Sequence, residues 1–289
     1  MCLLEPSCLC GDKKFCHQGT KTERSTKRIK VWLSIVNYQL SIPPPLYICR
    51  LLKWIMGHKK LVRFEAIKSF SNVLEYPENM QGQWQQHFGN TNPITLELAC
   101  GKGEYAVGLG RMHADRNFIG VDIKGNRIWR GAITALDEGL TNVAFLRTEI
   151  DKLSNYFAPN EVSEIWITFP DPQLRLSKAK KRLTHPKFLR LYQQFLKPDS
   201  IVHLKTDSPD LYEFTKMVIN LFDLPLLKDF DDAYHQAGIS EELQIKTYYE
   251  SLDIANSKRI HYLRFQLNKE LPVEKDEALK QLIYGHGTD

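Results

Sequence analysis

A single carboxylate, Asp171, stands between two prolines directly after a short apolar segment, Ile165 to Thr168. The segment is rich in β-branched and aromatic residues, which predicts a buried strand. Proline fixes its own φ and restricts the preceding residue, so the loop from Phe169 to Pro172 holds the acid in an irregular backbone. A rigid acid at the carboxyl end of such a strand is typical of catalytic loops in open α/β enzymes. Taken alone, the residues also fit a proline-stiffened turn beside a solvated surface.

A basic cluster follows this loop at once. Its members are Arg175, Lys178, Lys180, Lys181 and Arg182. Lysine and arginine side chains neutralise phosphates, so the cluster predicts contact with a nucleic-acid backbone and an affinity that falls steeply with salt. Contacts of this kind position RNA but do not select a base. A solvated charged face with no ligand is the alternative interpretation.

A second group of residues surrounds a glycine turn. The predicted strand Ile94–Leu98 contains Glu97 and leads into Gly101 and Gly103, after which a helix is predicted. Glycines allow close backbone approach to a ligand, and the start of a helix offers free N–H groups. Asp122 ends the next predicted strand, where a carboxylate can accept both hydroxyls of a ribose.

Two nucleotide cofactors fit a turn of this type. The spacing Gly101-x-Gly103-x-x-Ala106 matches a dinucleotide fingerprint, so an NAD-dependent dehydrogenase is one alternative. Glu97 argues against it, because a carboxylate just ahead of the turn would repel a pyrophosphate but suits a cationic amino-acid ligand. The ordered set therefore predicts S-adenosyl-L-methionine, bound by Glu97, Gly101, Gly103, Asp122 and Glu149. Glu149 follows the third predicted strand, within reach of an adenine amino group, and also fits a solvated loop acid.

Charge and cysteine content change near residue 56. The net charge is +5, but residues 1–55 carry nine basic and three acidic residues, which leaves −1 for the remainder. Five of the six cysteines also precede residue 56; only Cys100 follows it, which favours a reducing cytoplasm. The cysteine spacing fits no common zinc site, and no metal is predicted. Any RNA partner must therefore be recognised by local patches.

These changes predict a boundary at Met56. We expect translation to start there, with residues 1–55 a non-native or disordered extension and 56–289 a single domain. No stretch of residues 31–56 has the roughly 20 clean apolar residues that a membrane helix needs, so no membrane partner is predicted. Alternating strand and helix patterns predict one doubly wound, mostly parallel sheet. Segments Ile245–Tyr249 and Ile260–Leu267 are predicted to close it as an antiparallel pair.

The ordered motifs resemble the bacterial tRNA (guanine-N7)-methyltransferase family, TrmB-type, from about Met56 to Leu267. Beside the glycine turn, the matching elements are Gly120–Lys124, Phe169–Pro172, Lys181–Leu183, Lys205–Asp207 and Thr247–Glu250. The resemblance implies a Rossmann-like class I S-adenosylmethionine-dependent methyltransferase. The implied reaction is methyl transfer to N7 of a guanine in tRNA, usually in the variable loop, giving 7-methylguanosine. The sequence leaves open whether the enzyme is a monomer or a homodimer.

The resemblance also implies residue roles. Asp171 would be catalytic, and the substrate would be bound by Arg175, Lys181, Arg182, Asp207, Thr247, Tyr248, Tyr249 and Glu250. Asp207 fits equally well as the N-cap of a helix that starts near Pro209, and the last four residues also fit plain strand alternation.

Two departures from the family pattern concern the site. Members often read Pro-Trp-Pro-Lys-Lys-Arg-His after the aspartate, whereas here Gln173 to Ser177 follow Pro172, so it is open whether Arg175 replaces a substrate-contacting lysine. Ala99 replaces the first glycine of the turn, which is acceptable where φ is negative. A small-molecule methyltransferase and a non-catalytic RNA-binding subunit of the same fold are the rival functions.

Overall fold

The computed structural model describes residues 59–252 and 259–285. They belong to one compact unit, which spans His58–Asp289. The boundary predicted at Met56 lies outside the described residues and stays a prediction. No helix of the described part combines the length and apolar character that crossing a membrane requires.

One sheet of eight strands organises the described residues. The strands are β1 (Val73–Glu75), β2 (Ile94–Leu98), β3 (Asn117–Asp122), β4 (Val143–Arg147), β5 (Val162–Thr168), β6 (Leu196–Thr206), β7 (Leu226–Phe230) and β8 (His261–Gln266). The helices are α1 (which includes 59–66), α2 (Trp84–Phe88), α3 (Glu104–Met112), α4 (Gly125–Asp137), α5 (Pro186–Gln193), α6 (Pro209–Leu221) and α7 (Lys275–Gly285).

The strand order is β1-β4-β3-β2-β5-β6-β8-β7. All neighbours from β1 to β6 pair in parallel, whereas β8 runs antiparallel to both β6 and β7. From β2, the chain adds β3 and β4 on one side of the sheet and then β5 and β6 on the other. The order therefore reverses between β2 and β5, and in open α/β sheets a ligand crevice lies at the carboxyl ends of such a strand pair.

Alternation along the central strands divides the core between the two faces of the sheet. Ile165 and Ile167 of β5 pack on one face with residues of α5 and α6, while Trp166 packs on the other with residues of α3 and α4. The same alternation in β2 puts Leu96 and Leu98 on the first face. Glu97 therefore points to the face that α3 covers, which sets its role in the site.

The predicted doubly wound sheet is confirmed, and β2 and α3 have the predicted bounds. One strand prediction is wrong: Ile245–Tyr249 forms no strand, and β8 pairs antiparallel with Leu226–Phe230 on one side and with β6 on the other. β7 is an exposed edge strand whose sequence, LLKDF, does not alternate apolar and polar residues, so it lacks the pattern that marks a strand. The short edge strand β1, which pairs with β4, was not predicted either.

Candidate functional site

The glycine turn after β2 has a left-handed backbone at several positions. Gly101 has φ 57° and Gly103 has φ 71°. A Cβ at Gly103 would overlap the ring of Phe145, so glycine is required there for space as well as for φ. Ala99 has φ 55°, which contradicts the expectation of a negative φ at this position. An alanine in this region costs about 1 kcal/mol, so the turn holds a strained residue directly beside the crevice.

Glu97 lies beneath the turn, with only 3% of its surface exposed. Its carboxylate accepts hydrogen bonds from the backbone N–H of Ala106, at 2.8 Å, and from Thr168 Oγ1, at 3.2 Å. Burial, with a smaller contribution from the charge of Glu104, raises the pKa of Glu97 to about 8. Both hydrogen-bond donors are neutral. A cationic ligand group would therefore stabilise this carboxylate more than any partner it has among the described residues.

Asp122 and Glu149 line a cavity of about 400 Å³ together with Ala99. The Asp122 carboxylate is fixed by two backbone donors, Gly101 N at 3.0 Å and Lys124 N at 2.8 Å. Glu149 is exposed and pairs with Lys152 at 2.7 Å. In the same cavity, the buried Oγ1 of Thr148 has no hydrogen-bond partner in the described part of the chain. The cavity thus offers polar groups that a nucleoside can satisfy.

The loop that carries Asp171 is strained on both sides. Phe169 has φ 46° and Gln173 has φ 48°, both left-handed. Asp171 is exposed, and its Oδ1 accepts a hydrogen bond from Gln173 N at 3.0 Å. The loop is anchored to β6 where Phe169 N donates to Lys205 O at 2.8 Å. Strain of this kind persists only where the surroundings enforce it, so the acid is held in a fixed position.

Arg182 holds the same loop through hydrogen bonds to its backbone. It is 4% exposed, and its guanidinium donates to Pro172 O at 3.2 Å and to Gln173 O at 3.3 Å. It also lies 4.5 Å from the ring centroid of Phe214. Burial lowers the pKa of Arg182. The expectation that Arg182 contacts phosphates is therefore corrected: the side chain points inward because carbonyls of the Asp171 loop take its donors.

The other cations of the basic cluster are exposed. They lie in or next to a 3₁₀ turn, Leu176–Lys181, and comprise Arg175, Lys178, Lys180 and Lys181. Arg175 and Lys178 line a shallow cavity with Asp171, and Lys181 lines the cavity of Glu149. The cluster thus borders both cavities.

A third cavity, of about 780 Å³, brings Asp171 together with Asp122, Asp207 and Tyr249. It shares Ala99 and Asp122 with the cavity of Glu149, so the two form neighbouring parts of one crevice. The alternative role of Asp207 as a helix N-cap is wrong. Ser208 caps α6, since its side chain accepts from Leu211 N at 3.3 Å.

A fully buried lysine, Lys205, fixes the segment that contains Thr247 to Glu250. Its Nζ donates to Glu250 Oε2 at 3.1 Å, to Tyr234 OH at 3.0 Å, and to the carbonyls of Leu243 and Ile245 at 2.9 and 3.0 Å. Burial lowers the pKa of Lys205 to about 8, although Glu250 opposes the shift. Because Ile245 O and the Glu250 carboxylate bond to Lys205 instead of to a neighbouring strand, the segment Ile245–Tyr249 forms no strand.

Lys205 was noted in the sequence only as part of a family motif, and its anchoring role was missed. The available signal was a lysine directly after the apolar segment Ile201–Leu204 of a predicted buried strand, because lysine is almost never fully buried unless it is paired. Glu250 was predicted to bind the substrate, but its carboxylate faces Lys205 and Tyr234. Thr247 is buried, Tyr249 lines the cavity of Asp171, and Tyr248 is 45% exposed.

The described residues contain no group of three or more His, Cys, Asp or Glu side chains that could hold a metal ion. The site consists instead of a glycine turn and carboxylates that end neighbouring parallel strands. Together with the sheet order, this arrangement defines the class of Rossmann-like methyltransferases. Residues 91–263 match a family model described as a putative methyltransferase. The crystal structure of the 16S rRNA methyltransferase KamB has the same fold, with a TM-score of 0.52 and 14% identity over 67% of this chain and 96% of that one.

Similarity to curated proteins specifies the family. A tRNA (guanine-N(7)-)-methyltransferase of Bacteroides thetaiotaomicron is 49% identical over 224 residues, which cover 74% of this chain and 88% of the relative. A protein with the same name from Christiangramia forsetii is 47% identical over 223 residues, 73% of this chain and all of the relative. The chain therefore belongs to the tRNA (guanine-N7)-methyltransferase family, which confirms the resemblance seen in the sequence.

Proposed function

We propose that this protein transfers a methyl group from S-adenosyl-L-methionine to N7 of a guanine in tRNA, in the variable loop, to give 7-methylguanosine. The observation that carries the proposal is a shared cavity. Asp171 and Asp122, the proposed catalytic and ribose-binding acids, line the same crevice at the switch point of the sheet. Relatives that are named for this activity match most of the chain.

The residues of the crevice fit the cofactor. Glu97 is a buried carboxylate with neutral partners, which suits the ammonium group of the methionine part. Asp122 would accept the ribose hydroxyls, and Glu149 and the unsatisfied Thr148 hydroxyl, which line the same cavity, would hydrogen-bond the adenine. Gly101 and Gly103 allow close backbone approach. When bound, the cofactor supplies an electrophilic methyl group on a positively charged sulfur.

The chain needs few groups for this reaction. N7 of guanine has an in-plane lone pair, so no residue must remove a proton before attack. The contribution of the protein is to hold the base in line with the methyl group, and positioning of this kind supplies several kcal/mol. The base gains positive charge during the transfer. The Asp171 carboxylate, fixed by its strained loop, stabilises that charge without reorganising.

The substrate is bound from two edges of the crevice. Arg175, Lys178, Lys180 and Lys181 would contact phosphates. Asp207 and Tyr249, which line the cavity of Asp171, would form the pocket for the base with the adjoining Thr247 and Tyr248. Arg182 and Glu250 have positioning roles. Arg182 supports the Asp171 loop, and Glu250 holds the Thr247–Tyr249 segment through Lys205.

The test is methyl transfer from labelled S-adenosyl-L-methionine to unmodified tRNA, followed by mass spectrometry of the nucleosides. The full chain should form 7-methylguanosine, and Asp171→Ala should not. Asp115→Ala removes an exposed acid next to β3 and is the matched control, which should keep full activity. A product other than 7-methylguanosine, or turnover of a small molecule without RNA, would refute the proposal. Binding of tRNA without any heat of cofactor binding would instead support the non-catalytic subunit.

We also infer a reducing, cytoplasmic compartment. Among residues 56–289 the one cysteine is Cys100, and it is a buried free thiol. Burial and neighbouring acids raise the pKa of this thiol, which keeps it protonated and unreactive. Cell fractionation with detection of the native protein tests the compartment. Sedimentation of the purified chain distinguishes a monomer from a homodimer.

A further inference from the structure

A basic groove lies beside the crevice, between α3, α4, Arg63 of α1 and the segment Ile245–Tyr248. Its volume is about 920 Å³. Six cationic residues line it: Arg63, Lys102, Arg111, Arg127, Arg130 and Lys246. Glu104 is the one acid among the lining residues. The groove is therefore strongly positive, although residues 56–289 together carry a slight negative charge.

Most of these cations are not neutralised by the protein. Arg111 forms a pair with Glu138, with Nε 2.6 Å from Oε2. None of the other five forms an ion pair within the described residues, although Glu104 lies beside Lys102. Like charges repel one another in a shared groove, so such a group is stabilised by a polyanion. Phosphates in RNA provide that anion, and their counterions are released on binding.

Four of the cations lie against aromatic rings, and Lys102 and Arg63 make the closest of these contacts. Lys102 Nζ lies 3.1 Å from the ring centroid of Tyr248, and the guanidinium of Arg63 lies 4.7 Å from that of Trp129. A cation–π contact fixes the position of a charge without neutralising it, and it leaves N–H donors available to an anion. The groove is thus preorganised for anionic oxygens.

The groove is continuous with the crevice. Arg127 lines both the groove and the cavity that contains Asp171. Tyr248 lines the groove and its neighbour Tyr249 lines the cavity, with the two ring centroids 5.7 Å apart. An RNA strand whose guanine occupies the cavity would therefore pass directly into the groove. The Asp171 loop, which continues into Arg175, borders another edge of the same cavity.

We propose that the basic groove binds the sugar–phosphate backbone of the tRNA strand next to the target guanine. The proposal rests on the proposed function and adds to it a second phosphate-binding surface, separate from the cluster at Arg175. Lys102 and Arg127 contact phosphates nearest the cavity, and Arg130 and Lys246 contact those farther along the groove. The groove positions the strand and does not select the base.

The test uses Arg130→Ala combined with Lys246→Ala. Both side chains are exposed and neither lines the Asp171 cavity, so the fold and the chemistry should be unaffected. Affinity for unmodified tRNA is measured by fluorescence anisotropy over a series of salt concentrations. The double variant should bind on the order of tenfold more weakly near 0.15 M salt, with the slope of log K against log salt smaller by about 1.5. The kcat at saturating tRNA and the Kd for the cofactor should not change.

Two control variants make the test specific. Arg130→Lys with Lys246→Arg keeps both charges and should keep the salt slope. Lys228→Ala with Lys280→Ala removes two exposed charges that do not line the groove, and it should also keep the slope. If the groove variant retains the wild-type slope while the wild-type chain binds and methylates tRNA, the groove proposal alone is overturned. A wild-type chain that neither binds nor methylates tRNA overturns the proposed function as well.

Discussion

The cofactor half and the substrate half of the crevice are built differently. In the cofactor half, Glu97 is fixed by the N–H of Ala106, nine residues along the chain, and Asp122 by the N–H of Gly101. In the substrate half, the segment that carries Thr247 is fixed by Lys205, which bonds Glu250 across 45 residues. Backbone donors of one strand–turn–helix unit thus build the first half, and one buried ion pair holds much of the second.

This difference implies that the two halves respond differently to substitution. Backbone hydrogen bonds survive most side-chain changes, so substitutions in the cofactor half should alter ligand binding and leave the fold intact. The anchored segment depends on a side chain that is fully buried and charged, and loss of one partner of a buried pair is strongly destabilising. Substitutions of Lys205 or Glu250 should therefore alter stability and tRNA binding together.

The largest effect is expected for Asp171→Asn. The substitution keeps the size of the side chain but removes the negative charge that stabilises the cationic guanine. We expect kcat to fall about 100- to 1,000-fold, because loss of one preorganised electrostatic partner has this effect on catalysis. The Kd for the cofactor should change less than twofold. Single-turnover kinetics and calorimetry check both values, and an equal loss in cofactor binding would show that Asp171 belongs to the cofactor half instead.

The next largest effect is expected for Lys205→Met. It leaves the Glu250 carboxylate buried without its cation, which should lower the free energy of unfolding by about 3 kcal/mol. Urea unfolding measures the change. A second substitution, Glu250→Gln, should recover part of the loss, and KM for tRNA should stay high in the double variant. Strictly additive losses in the two single variants would mean that the buried pair does not anchor the segment.

These contacts also mark the limit of prediction from sequence. The central strands, the turn and the acids at strand ends follow from local periodicity and residue order, and β2 and α3 have the predicted bounds. The inward direction of Arg182 has no local signature, and the lysine after Leu204 indicates burial but not its partners, because both residues bond to carbonyls brought close by the fold. The exposed edge strand β7 was not predicted for a different reason, since its apolar residues do not alternate with polar ones.

A smaller effect is expected for the pH dependence of cofactor binding, where the affinity should change by about tenfold per pH unit. The pKa of Glu97 is raised to about 8 by burial, so the carboxyl is mostly protonated at pH 7 in the free protein. A cationic ammonium group requires the ionised form, and its binding should release a proton. Affinity should therefore rise with pH through the neutral range and stop rising near pH 8, because an α-amino group itself loses its proton at about pH 7.7 to 8.0. Calorimetry at several pH values and in two buffers measures both affinity and proton release.

Glu97→Gln is the control for this pH dependence. The variant cannot ionise at this position, so its weaker affinity should not rise between pH 6 and pH 8 and should fall only as the ammonium group of the cofactor loses its proton. Stability of the free protein provides an independent check of the sign. The folded state binds more protons than the unfolded state between the ordinary pKa of Glu97 and about 8, so its contribution to stability is lost as pH rises through this interval. A wild-type affinity that falls as pH rises from 6 to 8 would contradict this role for Glu97.

The smallest effect concerns Ala99, where the cofactor half carries strain in its backbone. With φ 55°, alanine is less favourable than glycine, so Ala99→Gly should raise the free energy of unfolding by about 0.5 to 1 kcal/mol despite the greater entropy of the unfolded chain. Ala114→Gly is the matched control, because Ala114 is exposed and is not among the residues of positive φ. It should lose stability instead. If both variants lose stability, the turn at Ala99 is unstrained, and the difference between the two halves would lie in their side-chain anchors alone.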